Sequence, residues 1–178
     1  RSGKRYLFRT AASFVRSRCN VQPRPLLLHD DFNIPVDSKG ILVIVGSHVP
    51  LSTAQLEHLC SNIHNSSFEL PVNEILNNNA ADSISEISTQ VNASLKGCPV
   101  TILYTSRTLV RHTEKIHSSN LQAAVNVSHA LVDIVRNLDV RPSAIVTKGG
   151  ITSSDIIVKA LGVFRAVVAG QIAPGVPV

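Results

Sequence analysis

Methionine and tryptophan are absent from the 178 residues, and cysteine is scarce. Cys19, Cys60 and Cys98 lie far apart and form no Cys-x-x-Cys pair. An odd, sparse cysteine count argues against a disulfide scaffold or a zinc site and is typical of reduced thiols, so we expect a cytoplasmic protein. No apolar run approaches the roughly 18 residues of a membrane span, which predicts no membrane partner. A chain without methionine that starts at Arg1 also suggests a piece of a longer protein.

Acidic residues are absent before Asp30, and the net charge of +5 therefore depends on the first part of the chain. Seven basic residues precede that aspartate: Arg1, Lys4, Arg5, Arg9, Arg16, Arg18 and Arg24. Such a segment attracts nucleic acid, a membrane surface or a phosphorylated small molecule, and it also resembles an organellar transit peptide. Aromatic residues are few and do not alternate with the arginines as in a base-stacking surface, so nucleic acid is the weaker expectation.

Hydrophobic residues make up 44% of the chain and charged residues 16%, which is enough apolar material for one packed core. Apolar runs alternate with amphipathic stretches after residue 40. We predict strands at 41–45, 68–72, 99–104, 143–147 and 163–169, and helices at 52–64, 83–95, 120–138 and 153–161. Because strands and helices alternate, the pattern predicts an open three-layer α/β sandwich with a mostly parallel sheet and helices on both faces.

The first 40 residues do not follow this alternation. We expect residues 1–40 to form an N-terminal arm and interdomain connection, and residues 41–178 to form the α/β domain. Open parallel sheets bind ligands beyond the carboxyl ends of their strands, and two such ends carry unusual loops. One loop is residues 46–48, Gly-Ser-His, and the other is residues 148–155, Lys-Gly-Gly-Ile-Thr-Ser-Ser-Asp.

The 148–155 loop combines features that suit a nucleotide's phosphates. Paired glycines let the backbone approach an anion and adopt a positive φ, and a following helix offers free N–H groups. Thr152, Ser153 and Ser154 add hydroxyl donors, and Lys148 adds a positive charge. The same residues also fit an ordinary turn with a helix cap, so the pattern alone leaves both interpretations open. Neither the Walker nor the dinucleotide glycine motif is present.

Other candidates are weaker. Ser47 beside His48 suggests a hydrolase, but adjacent residues of an extended chain point to opposite faces and no nucleophile elbow is present. Ser47 fits better as a hydroxyl donor to a phosphate or ribose. Asp155 is interpreted as a first-turn charge rather than a partner of bound metal. The basic residues after the strand at 99–104 either face the same ligand edge or form a solvated face, and we favour the solvated face: Arg107, Arg111, His112, Lys115 and His117. We expect Ser52 to cap the helix that it begins.

Several long segments resemble one family in order and spacing, and the resemblance covers nearly the whole chain. These segments are residues 5–15, 44–56, 147–155, 159–162 and 170–178. The chain resembles the nucleotide-binding, C-terminal half of a four-carbon acid sugar kinase. The resemblance implies ATP-dependent phosphorylation of a tetronate or 3-dehydrotetronate, with Mg²⁺ as cofactor. It implies contacts to ATP from Ser47, Gly149, Gly150, Ile151 and Thr152. It also implies an N-terminal domain that holds the sugar acid, and it allows a homodimer.

Two departures from the family pattern limit what we expect of this chain. The Asp-Asp-x-Thr-Gly-Ala type motif that would carry the general base is absent, and so is a second glycine loop that would follow residue 178. We therefore expect nucleotide binding without turnover by this chain alone, with an unassigned catalytic base. The alternative function is a non-catalytic domain that senses a nucleotide or sugar phosphate and regulates a fused enzyme.

Overall fold

The computed structural model describes residues 3, 5–32, 34, 39–76, 80–107 and 117–178, with only the backbone at 12 and 117–120. The chain divides into two compact units. The first comprises residues 1–33 and 167–178, and the second comprises residues 34–166. The basic residues Arg111, His112 and Lys115, the Asn77–Asn79 turn and the His117 side chain lie outside the described parts.

The second unit contains a parallel sheet built from short apolar runs. Its strands are β1 (Ile41–Val45), β2 (Ser66–Leu70), β3 (Val100–Thr105) and β4 (Ile145–Lys148). They pair in the order β2-β3-β1-β4, and every pairing is parallel. β1 is central and buried because its β-branched and leucine side chains face helices on both sides.

Helices cover both faces of this sheet, which confirms the predicted α/β sandwich. They are α2 (Pro50–Asn62), α3 (Val72–Leu76), α4 (Ala80–Gly97), α5 (His117–Arg136) and α6 (Gly150–Asp155). Leu56 of α2 packs on one face against Val43 and Ile102. On the other face, α4 and α5 pack on Leu42 and Ile44 of β1. Ile87, Val91 and Leu95 recur every fourth residue of α4, so they form one buried stripe.

Two local predictions are wrong. The predicted strand at 163–169 is not a strand, and a π-helical turn (Ile156–Ala160) continues α6 before the chain becomes irregular. Ser52 does not cap α2, because the helix begins at Pro50 with Val49 as its N-cap residue. Ser52 is instead buried inside the first turn, where its hydroxyl donates to Ser47 Oγ.

The first unit contains a short helix and a small hairpin. α1 (Ala12–Cys19) is followed by a 3-10 turn (His29–Asp31). The hairpin consists of β5 (Gln171–Ala173) and β6 (Val176–Pro177), which pair antiparallel. Leu27 joins the two parts of this unit, since its N–H donates to the Gln171 carbonyl at 2.8 Å and its side chain lies against Gly170.

Candidate functional site

The carboxyl ends of three neighbouring strands meet at one edge of the sheet and border a pocket of about 540 Å³. The loop after β1 supplies Gly46, Ser47 and His48, and the end of β3 supplies Thr105 and Ser106. The opposite wall is apolar and comes from α3 and α5: Val72, Leu76, Ala123, Ala124, Val127 and Leu131. The volume lies within the usual range of small-molecule sites, and the lining pairs an apolar wall with a rim of hydroxyl and backbone groups.

All five predicted site residues line this one pocket. Ser47 enters from the β1 loop, Gly149 joins β4 to α6, and Gly150, Ile151 and Thr152 form the first turn of α6. Parallel pairing of β1 with β4 explains the convergence, because it brings Val45 beside Lys148 and so aligns the loops that follow. Contact of these residues with ATP stays a prediction. Lys148 itself is exposed at the end of β4 and lies outside the pocket lining.

The two loops are packed tightly against each other. A Cβ on Gly46 would lie 2.1 Å from Thr152 Oγ1, so only glycine fits between the end of β1 and α6. Gly149 has φ +117°, a backbone conformation that other residues rarely adopt. Gly150 is different, because a Cβ there would meet no atom within 4 Å and its φ is ordinary. The fold therefore requires glycine at 46 and 149 but leaves open space beside 150.

Hydroxyl groups at the pocket differ in whether their hydrogen is already engaged. Ser128 donates to Asp155, and Ser153 donates to the Gly149 carbonyl at 2.8 Å. Ser47 Oγ accepts the hydroxyl hydrogen of Ser52 at 3.2 Å, which leaves its own hydrogen free for another acceptor. Thr152 Oγ1 has no hydrogen-bond partner among the residues that the structure describes. Both residues line the pocket, and neither hydroxyl hydrogen has an acceptor among the described residues.

Backbone donors at the start of α6 are also available. The first intrahelical hydrogen bond runs from the Ser153 N–H to the Gly149 carbonyl at 2.8 Å. The N–H groups of Gly150, Ile151 and Thr152 precede that bond, and the N-cap residue Gly149 supplies no side-chain cap. Amide and hydroxyl donors on these residues can together bind the oxygens of an anionic group.

Asp155 has a structural role that its position in the sequence does not show. It ends α6 rather than starting it, so its interpretation as a first-turn charge is wrong. Its carboxylate accepts from Ser128 of α5 and pairs with Lys159 Nζ at 2.9 Å. The hydrogen bond from Ser128 and the interaction with Lys159 hold the pKa of Asp155 below its ordinary value. The carboxylate therefore joins α5 to the α6 segment behind the pocket.

Sequence reasoning favoured a solvated basic loop for Arg107 over a place at the ligand edge. The structure makes it half-buried and binds its guanidinium to the ends of β1 and β3. Burial lowers the pKa of Arg107, while nearby Glu69 acts in the opposite direction. Two of its four hydrogen bonds reach backbone carbonyls some 60 residues earlier in the chain, and a residue pattern gives no signal for such partners.

Charged and metal-binding groups are scarce at this site. Among the described lining residues, His48 is the only titratable side chain. The described residues contain no cluster of three or more histidine, cysteine, aspartate or glutamate side chains that could hold a metal ion.

The described parts of the chain contain no helix with the length and apolarity to cross a bilayer. Cys19, Cys60 and Cys98 are free thiols.

A comparison with family models decides the classification of the chain. The model described as a nucleotide-binding C-terminal domain matches residues 42–178, more than three quarters of the sequence. The chain belongs to this family. No curated protein matches the chain. In this nucleotide-binding domain, the match includes all the residues that line the pocket at the sheet edge.

Proposed function

We propose that this domain binds ATP in the pocket at the carboxyl edge of the sheet, as the nucleotide-binding half of a four-carbon acid sugar kinase. The observation that carries the proposal is the convergence of the 46–48 and 149–152 loops on one pocket inside a nucleotide-binding family domain. The hydroxyls of Ser47 and Thr152 and the amides of the first turn of α6 would bind phosphate oxygens. The apolar wall of α3 and α5 would accept the base.

The family match supports nucleotide binding, and it does not specify the substrate. Nucleotide-binding C-terminal domains of this kind occur in four-carbon acid sugar kinases. The resemblance noted in the sequence adds a tetronate or 3-dehydrotetronate as the phosphate acceptor. We propose that a separate N-terminal domain presents this sugar acid and supplies the general base. Phosphoryl transfer depends mainly on positioning and charge stabilisation, which is the contribution that a pocket of this kind can make.

Mg²⁺ fits the site less well than ATP does. Magnesium prefers oxygen ligands and is usually held by one or two carboxylates together with substrate phosphates. The described pocket lining offers hydroxyl oxygens and no carboxylate. We therefore assign no protein ligand to the metal and attribute no step to it.

Gly150→Val tests the ATP site without disturbing the fold. No atom lies within 4 Å of a Cβ built at Gly150, and this glycine lines the pocket, so we expect the added side chain to take up space that ATP would need. We expect calorimetric titration with Mg·ATP to show binding to the parent chain and at least a tenfold weaker affinity for the variant, about 1.4 kcal/mol. The melting temperature should not change.

Gly97→Val is the matched control, since Gly97 ends α4 and also has no atom within 4 Å of a built Cβ. Its affinity for Mg·ATP should equal that of the parent chain. Equal affinities for the parent, Gly150→Val and Gly97→Val proteins, or no binding by the parent, would refute the ATP site.

A second measurement separates the kinase from a ligand-sensing domain. The chain is incubated with Mg·ATP, four-carbon sugar acids and an added N-terminal domain of a four-carbon acid sugar kinase. A kinase half should then release ADP and form a phosphorylated acid. Omission of this chain or of the added N-terminal domain should abolish both products. ATP binding without any product would favour the sensor.

A further inference from the structure

The Arg107 side chain binds three backbone carbonyls at the rim of the pocket. Nη1 donates to the Ser47 carbonyl at 2.7 Å, Nη2 donates to the Val45 carbonyl at 3.1 Å, and Nε donates to the Thr105 carbonyl at 2.8 Å. Nη2 also donates to Thr105 Oγ1 at 2.9 Å. Four hydrogen bonds therefore use most of the five N–H groups of the guanidinium and tie the end of β1 and its loop to the end of β3.

We propose that Arg107 is a positioning residue for the nucleotide site, which fixes the Ser47 backbone so that the Ser47 hydroxyl faces the pocket before the ligand arrives. The inference rests on the proposed function, because it assigns Arg107 a role in that same site. Arg107 itself is not among the residues that line the pocket, so it acts through the loop rather than by touching ATP.

The chemistry of the guanidinium explains why arginine suits this position. Its planar fork can bind carbonyls of two different segments at once, whereas a lysine ammonium is a compact charge on a flexible stem. Two further interactions favour the guanidinium in this position. The guanidinium carbon lies 5.7 Å from the centroid of the Tyr104 ring, and the negative charge of Glu69 stabilises the positive charge of Arg107. Less conformational freedom is then lost when the loop meets its ligand.

Arg107→Lys tests this role, since it keeps the positive charge and removes the fork. We expect Mg·ATP to bind about tenfold more weakly, with little change in melting temperature. Hydrogen exchange in the ligand-free protein should accelerate at Gly46, whose N–H is bonded to the Lys148 carbonyl at 3.2 Å. Arg141→Lys is the control, because Arg141 is exposed and its side chain has no partner among the described residues. It should change neither measurement.

A double-mutant cycle with Ser47→Ala shows whether Arg107 affects ATP affinity through the Ser47 hydroxyl. If Arg107 acts through the Ser47 hydroxyl, Arg107→Lys should weaken ATP binding less than twofold in a protein that already lacks this hydroxyl. A full tenfold loss in that background would overturn the inference. So would an unchanged affinity of the single Arg107→Lys variant when the parent chain binds ATP.

A second variant covers the case in which Arg107→Lys unfolds. Tyr104→Leu removes the ring beside the guanidinium and leaves the pocket lining intact, and we expect a two- to threefold weaker affinity together with faster exchange at Gly46. Unchanged exchange at Gly46 in both variants would contradict the role of Arg107. Absence of ATP binding by the parent chain would refute the proposed function instead, while the exchange measurement would still test whether Arg107 fixes the loop.

Discussion

At the scale of single residues, the glycines of the site are needed for different physical reasons, and the sequence around them does not show which reason applies. Gly149 and Gly150 are adjacent, yet only Gly149 has a positive φ. Gly46 is required for a different reason, which is its close approach to Thr152 Oγ1. A motif that contains two glycines therefore combines one position that the backbone requires with one that leaves space at the pocket.

Stability measurements on alanine variants distinguish these glycines. Gly46→Ala should lower the free energy of unfolding by about 1–3 kcal/mol, because its Cβ would overlap the buried Thr152 side chain. Gly150→Ala should be neutral or stabilise by up to about 1 kcal/mol, since alanine restricts the unfolded chain and fits the open space. Urea denaturation measures both changes.

Thr152→Ala is the internal control for that comparison. In the Thr152→Ala background the overlapping Oγ1 is gone, so Gly46→Ala should cost less than in the parent chain. An equal cost in both backgrounds would show that the contact between Gly46 and Thr152 does not limit the packing of the two loops.

Residue patterns predicted part of the site and missed part for a physical reason. Residues 47 and 149–152 could be selected because each follows a predicted strand, and parallel strands end at a common edge. Arg107 also follows a predicted strand, but this position does not reveal its role, since two of its partners are the carbonyls of Val45 and Ser47. Backbone carbonyls are present at every residue, so only the register of β1 against β3 determines which of them meet an arginine.

At the scale of elements, burial decides which apolar runs become strands. The runs of β1 and β3 were predicted because both contain buried β-branched residues, and the parallel sheet confirms them. The run at 163–169 has similar composition but is no strand, and Phe164 and Val167 in it are 85% and 92% exposed. Strand propensity measures fit to a paired, half-buried surface, so without a partner strand it predicts little.

The Asp155 carboxylate joins two elements, α5 and α6, so its removal should lower the stability of the fold. Asp155→Asn keeps the shape but loses the charge that pairs with Lys159, and should lower the free energy of unfolding by about 1 kcal/mol at pH 7. The folded-state pKa lies below the ordinary value of 3.8, so the unfolded chain binds the proton first as the pH falls. The difference in the free energy of unfolding between parent and variant should therefore be complete above about pH 5 and shrink as the pH falls below that.

Asp133→Asn is the matched control for this titration. Asp133 is half-exposed and lies 3.6 Å from Arg136, an arrangement that contributes little to stability. Urea denaturation from pH 7 to pH 3 should show a much smaller change for this variant. A constant difference between the parent and Asp155→Asn across this range would contradict the lowered pKa.

At the scale of the whole molecule, the two units differ in charge. Residues 1–33 carry seven basic and two acidic side chains, and residues 167–178 carry none. Residues 34–166 carry ten of each sign, so the unit that contains the pocket is neutral and the other unit has the entire net charge of +5. The pocket therefore offers hydrogen-bond donors rather than a cluster of positive side chains to an anionic ligand.

This division predicts that neutralising arginines of the first unit leaves nucleotide binding intact. The double variant Arg16→Gln, Arg18→Gln removes two exposed charges of α1, and Arg141→Gln, Arg165→Gln removes two exposed charges of the pocket unit. Both should bind Mg·ATP within about twofold of the parent, because none of the four side chains lines the pocket and salt screens exposed charges. On heparin, the α1 variant should elute at lower salt than the other double variant, since α1 belongs to the unit with excess positive charge. A loss of ATP affinity confined to the α1 variant would move the phosphate site from the sheet edge to the basic arm and would contradict the site proposed above.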